Sequence, residues 1–301
     1  MNDLINLQLM MFLMMFAGLV LKKVGLIGNE GRANLTDLVL SFILPANIIK
    51  SFQIQFTFAT LKSFALIFII SLLLQFGCVL FGEIVYKNTE PEKQKCLKYG
   101  IICSNAGFLG NPIAEGVFGG IGLTLASIYL IPQRIMMWSS GLSVFSGQTD
   151  KKAIIKKVLT HPCIIACEIG LFLMISQLQL PAFLNQTIAS ISSCNTAMSM
   201  LVIGVILADV DANSLFDKQV LIYSFFRLLF IPFLTYGACS LFFVDPLITG
   251  VSVLLAAMPA GATTSILASK YGADAEFATK MVVISTFLSL FTTAAWSLFL
   301  G

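Results

Sequence analysis

Apolar runs about as long as a bilayer is thick, separated by short polar segments, repeat along the whole chain. A hydrocarbon core of about 30 Å takes about 20 helical residues to cross. On that scale the pattern predicts ten spans: 4–24, 35–52, 64–86, 97–118 and 123–145, then 158–178, 188–208, 220–243, 249–269 and 277–300. Five spans in each half make the halves insert in opposite orientations, which is the inverted-repeat plan. The predicted fold is an all-α polytopic membrane protein: ten transmembrane helices as two inverted five-helix repeats, with broken crossover helices in spans 4 and 9. Residues 1–147 form the first repeat, 148–157 a basic cytoplasmic linker and 158–301 the second repeat.

The breaks are read from two polar interruptions. Span 4 carries CSNAGFLGNPIAEGVFG over residues 103–119, which sets Gly107, Gly110, Asn111 and Pro112 inside an apolar segment. Proline lacks an N–H and clashes with the preceding turn, and glycine lets the backbone leave helical geometry, so the helix is expected to break there. Span 9 carries AAMPAGATTSILASKYG over residues 256–272, where Pro259 and Gly261 are followed by Thr263, Thr264 and Ser265. Asn111 is expected to cap a new half-helix with Pro112 in its first turn. The freed N–H groups and the helix dipole then make the spot electropositive without any lysine. Asn105 is expected to add an amide beside the carbonyls that end the first half-helix. If the two breaks cross, they form a midplane site for a carboxylate or another small anion. Pro45, Pro132 and Pro232 are read instead as ordinary kinks that adjust packing.

Composition agrees with the class: of 301 residues 11% are charged and 57% hydrophobic, with a mean hydropathy of +0.92. Lysine and arginine gather on the cytoplasmic side of membranes. With the N-terminus outside, all 18 fall on that side except Lys50, Lys62, Arg134 and Arg227. Both termini are therefore predicted outside, and the first span is expected to remain as an anchor. The net charge of +3 reflects this orientation and carries no suggestion of nucleic acid. The seven cysteines form no CxxC pair and read as small buried hydrophobes, so no metal site is expected.

Ionisable groups inside a membrane are functional candidates by default. Arg134 is placed near the centre of span 5, suited to pairing with a carboxylate or attracting anions. Arg227 lies about one turn from an end of span 8, where function and snorkelling to the interface are both open. Glu115 and Glu168 are the acidic candidates, either to carry a coupling proton or to neutralise an arginine. Asp209, Asp211 and Asp217 read as a solvated turn, and His161 as a cap or an interfacial residue.

These residues together resemble the auxin efflux carrier family, in particular its bacterial branch of permeases associated with malate and other organic anions. The resemblance spans almost the whole chain. It rests on Leu44-Pro45, SNAGFLGNP over residues 104–112, Arg227 to Pro232, MPAG over residues 258–261, and the KYGADAEFATKMVVISTFLSL that follows. It implies a scaffold of spans 1, 2, 6 and 7, a transport domain of spans 3 to 5 and 8 to 10 that moves like an elevator, and a homodimer. It also implies that Asn105 contacts a substrate carboxylate and that Pro112 and Pro259 are the crossover prolines. The long cytoplasmic loop of the plant carriers is missing, and span 7 carries Met198 where many bacterial relatives have proline.

The reading is a secondary transporter for a small organic anion in the cell membrane, with the lipid bilayer as its other partner. No GxxxxGK[ST] loop is present, so the driving force is a gradient or the membrane potential. No cofactor is called for, and a coupling ion, proton or sodium, is left open. An anion channel with a static glycine-rich filter is the alternative. An enzyme is disfavoured, since there is no GxSxG elbow and His161 lies at a membrane edge.

Overall fold

The computed structural model describes residues 2–146, 152, 156, 159–208 and 217–300. The predicted 148–157 linker, apart from Lys152 and Lys156, lies outside the described residues, as do Asp209 and Asp211. Among the described residues the chain is helical, apart from one isolated antiparallel bridge. In chain order the helices are α1 (Asn2–Lys23), α2 (Asn29–Ser51), α3 (Phe58–Val85), α4 (Pro91–Ile102), α5 (Ala106–Ser146), α6 (Pro162–Ser176), α7 (Ala182–Leu207), α8 (Lys218–Leu241), α9 (Pro246–Ala256), α10 (Thr263–Lys270) and α11 (Ala275–Leu300). Six of them, α2, α3, α5, α7, α8 and α11, are long and apolar enough to cross a membrane by length and composition. α6 and α9 are shorter apolar helices.

α5 has 41 residues, about 60 Å at 1.5 Å per residue, twice a bilayer core. It is not straight. Gly119 takes φ 68°, ψ −163°, a conformation that L side chains avoid, and so divides α5 into two arms.

Proline shapes α2, α5 and α8 in a common way. The turns at Val39–Ile43, Ala106–Gly110 and Phe226–Phe230 are widened to π geometry, and each ends two residues before a proline: Pro45, Pro112 and Pro232. A proline ring collides with the carbonyl four residues back, and widening the turn relieves the collision. Pro232 leaves the Leu228 carbonyl without its helical donor. Trp296 Nε1 of α11 donates to it at 3.0 Å.

The surface is apolar, with Leu13, Phe16, Leu73, Phe172 and Phe233 all more than 60% exposed. That face suits lipid rather than water. Most surface charge lies near helix ends, where Lys98 pairs with Glu83 at 2.7 Å across the α3–α4 turn, alongside Lys93–Glu90 and Lys95–Glu92 at 3.3 Å. One core joins α1, α2, α3, α5, α6, α7 and α9 through Met11, Leu44, Ile67, Tyr129, Cys167, Ile203 and Leu254. A second joins α3, α4, α8 and α11 through Cys78, Tyr99, Tyr223 and Met281.

Candidate functional site

The two interruptions meet. α4 stops at Ile102, α9 at Ala256, and between α4–α5 and α9–α10 the chain is extended, with Ser104 opposite Ala260 in the antiparallel bridge. Asn105 N–H donates to the Pro259 carbonyl at 2.7 Å, and Gly261 N–H donates to Cys103 at 3.0 Å. Unwound backbone at such depth needs partners from protein, and each break supplies some of the other's. Gly110 allows the approach: a Cβ there would stand 2.6 Å from Leu255 Cδ2 and 3.1 Å from Met258 Cγ.

Four side chains complete the wiring. Arg227, 1% exposed, donates from Nε to the Met258 carbonyl at 2.9 Å and from Nη1 to the Ile101 carbonyl at 3.1 Å. It is therefore not at the interface, and the snorkelling alternative falls. Gln133 Nε2 donates to the Ser104 carbonyl at 2.8 Å, while Ser104 Oγ donates back to Gln133 Oε1 at 3.3 Å. Ser285 Oγ accepts from Ala260 N–H at 3.1 Å, and Tyr99 OH donates to Thr263 Oγ1 at 3.2 Å.

The half-helix of the first break begins a turn earlier than expected. The π turn starts at Ala106, preceded by Asn105, and runs straight into Asn111 and Pro112. Asn111 consequently caps nothing; it is fully buried and both ends of its amide lack a protein partner. Relief of the Pro112 clash is the cause, because the widened turn keeps residues 106–110 helical instead of freeing them. The first intrahelical bond is Leu109 N–H to Asn105, so the N–H groups of Ala106, Gly107 and Phe108 precede the ladder. In the second break Thr264 N–H donates to Gly261 and Ile266 N–H to Ala262, which leaves Ala262, Thr263 and Ser265 N–H without a backbone acceptor.

The remaining site candidates separate. The Asn105 side chain is half-buried and, among the described residues, bonds to no protein group. Thr264 Oγ1 is buried and unpartnered, whereas Ser265 Oγ donates to Ala262 and Thr263 serves Tyr99. Arg134, 7% exposed, places Nη2 3.7 Å from where a Cβ of Gly107 would stand, lies beside the Cys163 thiol of α6, and leaves Nη1 unpartnered. Two guanidinium charges thus flank the crossing, and among the described residues neither pairs with a carboxylate.

The acids do not supply one. Glu115 Oε2 accepts from Asn47 Nδ2 of α2 at 3.1 Å, and Asn47 Oδ1 accepts from Ser192 of α7 at 2.6 Å. Glu168 lies on the exposed face of α6 between Ile165 and Phe172, so it neutralises no arginine. His161 Nδ1 caps α6 by accepting from Cys163 N–H, and Asp217 caps α8 by accepting from Gln219 N–H. A separate cavity of about 420 Å³, lined by Gln53, Gln55, Gln177, Gln179 and Asn185, sits where α2 leads to α3 and α6 to α7. Gln133 and Ser285 were not foreseen from sequence. Their signal is only a polar residue in an apolar helix.

Residues 4–297 match a family model described as membrane transport protein. The chain is 27% identical over 301 residues to an uncharacterized transporter of Methanothermobacter thermautotrophicus, with 97% of each chain covered. It is 23% identical over 297 residues to an uncharacterized transporter of Methanocaldococcus jannaschii, with 96% of each covered.

Proposed function

Since the chain belongs to the membrane transport protein family, the auxin efflux carriers, and is thus a multi-pass membrane transporter, we propose that it is a secondary carrier of a small organic anion, with the anion held at the crossing of the two breaks. One observation carries this reading. A buried arginine with an unpartnered Nη1 stands beside Gly107, next to the N–H groups that open the first half-helix and to Asn105, and among the described residues no carboxylate answers them. Such a field in a low-dielectric site favours a negative ligand.

The rest of the proposal follows the sequence. Ten spans form two inverted repeats over 1–147 and 158–301, with both termini outside the cell membrane. α1, α2, α6 and α7 are the fixed scaffold of a homodimer, and the remaining helices move as an elevator. The Ser104–Ala260 bridge supports a carrier over a static filter, because bonds across the crossing block a continuous pore. Outward movement of one negative charge is driven by about 2.3 kcal/mol per 100 mV, so anion export needs no coupling ion.

The test is uptake by the purified protein in liposomes against dicarboxylates, monocarboxylates, amino acids and indole acids. Saturable counterflow of an anion is expected, and Asn105→Ala is expected to abolish it while inserting normally. A variant that transports at the wild-type rate would remove Asn105 from the site.

A further inference from the structure

Two helix faces beside the crossing carry buried polar side chains. On α5 the face carries Phe108, Asn111 and Glu115; on α7 it carries Ser192, Asn195, Ser199 and Val202, spaced by three or four residues as one helical face requires. At one end Glu115 is joined to Ser192 through Asn47. At the other, Phe108 packs in the cluster formed by Val39, Ile43, Val202 and Met198. The two anchors run in antiparallel order, with Asn111 between them on α5 and Asn195 and Ser199 between them on α7. Asn111 is 0% exposed and Asn195 and Ser199 are each 1% exposed. Among the described residues none of their side-chain polar atoms has a partner.

Three buried side chains without partners are costly, since each unmade bond leaves a desolvated group uncompensated. Native proteins satisfy such groups with protein, ordered water or a bound ligand. We propose that Asn111, Asn195 and Ser199 form the wall that receives a neutral hydrogen-bonding substituent of the cargo. The proposal rests on the anion reading above for the other end of that cargo. None of the three side chains is charged, and together they both donate and accept, which matches a hydroxyl or a carboxamide rather than a second carboxylate. Asn111 follows Gly107 by about one helical turn, and Arg134 Nη2 lies 3.7 Å from where a Cβ of Gly107 would stand. The cargo class is therefore a short carboxylic acid with a hydroxyl or amide within a few bonds of the carboxylate. Asn195 and Ser199 are its specificity-determining residues on the α7 side.

The test compares uptake of lactate and propionate, which differ by one hydroxyl, and of their uncharged counterparts lactamide and propionamide, by the full-length protein in liposomes. One hydrogen bond to a neutral group corresponds to about a fivefold preference, so lactate is expected to enter about five times faster than propionate. In Asn195→Leu and in Ser199→Ala that ratio is expected to fall towards one. Ser199→Ala removes a single unbonded atom and decides the matter if Asn195→Leu fails to fold. Equal wild-type rates for the two acids, or a ratio that survives both variants, overturns the wall and leaves the anion reading standing. If neither acid enters but lactamide is preferred over propionamide and Ser199→Ala erases the preference, the wall stands and the anion reading falls. Uptake of none of the four overturns both.

Discussion

Arg227→Met is the sharpest perturbation of the crossing. Methionine keeps an unbranched apolar stem and removes the N–H groups that serve Ile101 and Met258, residues that are both 0% exposed and whose carbonyls cannot turn to water. Two orphaned buried acceptors cost about 1–3 kcal/mol each. Part of that is offset because the guanidinium no longer has to be buried, so a net loss of about 2–4 kcal/mol is expected. At about 2 °C per kcal/mol for a chain of this size, the thermal midpoint should fall by roughly 4–8 °C in detergent, read by tryptophan fluorescence. Arg227→Lys keeps the charge but offers a point donor instead of a fork, reaches one carbonyl and should fall in between. A methionine variant that melts within about 1 °C of wild type would refute the claim that Arg227 holds the two breaks together.

Three further substitutions test neighbouring parts of the argument. Gly110→Val drives a side chain into Leu255 and Met258, so it should destabilise by about 1–3 kcal/mol, seen as a lower midpoint, whereas Gly120→Ala, with open space around its Cβ, should lose only the few tenths that such a surface change costs. Trp296→Phe removes the donor to the Leu228 carbonyl that Pro232 left free, and should cost about 1 kcal/mol in the same melt; the double variant with Pro232→Ala, which restores the helical donor, should recover it. Asn47→Leu unfastens Ser192 and Glu115 at once, and should lower the midpoint by about 1–3 kcal/mol equivalent, with no loss expected from Lys62→Ala as a surface control.

The breaks themselves were legible because glycine and proline act locally: the backbone at residues 103–105 and 257–262 leaves helical geometry close to where the sequence clusters fall. The start of the first half-helix was not, since whether Pro112 breaks a helix or widens the turn before it depends on what surrounds that turn. The same limit applied to Arg227. Its distance from the end of a span cannot tell a snorkelling side chain from one that points inward, and only the carbonyls of Ile101 and Met258, far away in sequence, decide it. Glu168 shows the reverse error: position within an apolar run says nothing about which face of α6 a residue occupies. Gln133, Ser285, Asn195 and Ser199 are ordinary polar residues in apolar helices, and what gives them meaning is the segment packed against each.

How the crossing is bonded bears on which parts can move. Its ties, the bridge of Ser104 and Ala260, the paired bonds of Gln133, the two of Arg227, and those of Ser285 and Tyr99, all lie within α4, α5, α8, α9, α10, α11 and the breaks they flank. The ties from that group to α2, α6 and α7 are fewer and involve side chains on the proposed moving side: Glu115 to Asn47, Thr124 Oγ1 to the Ser51 carbonyl at 2.5 Å, the Arg134 guanidinium beside the Cys163 thiol, a thiol contact of Cys167 with Ser127, and the apolar packing of Phe108. Neutral side-chain bonds contribute about 1 kcal/mol each, and bonds from a buried guanidinium about twice that. Apolar contact at the seam costs little to exchange for similar contact one turn away, whereas opening the crossing would strand backbone groups where no water reaches them. The cheaper surface to break is therefore the seam, which is the ordering of costs that the proposed elevator requires.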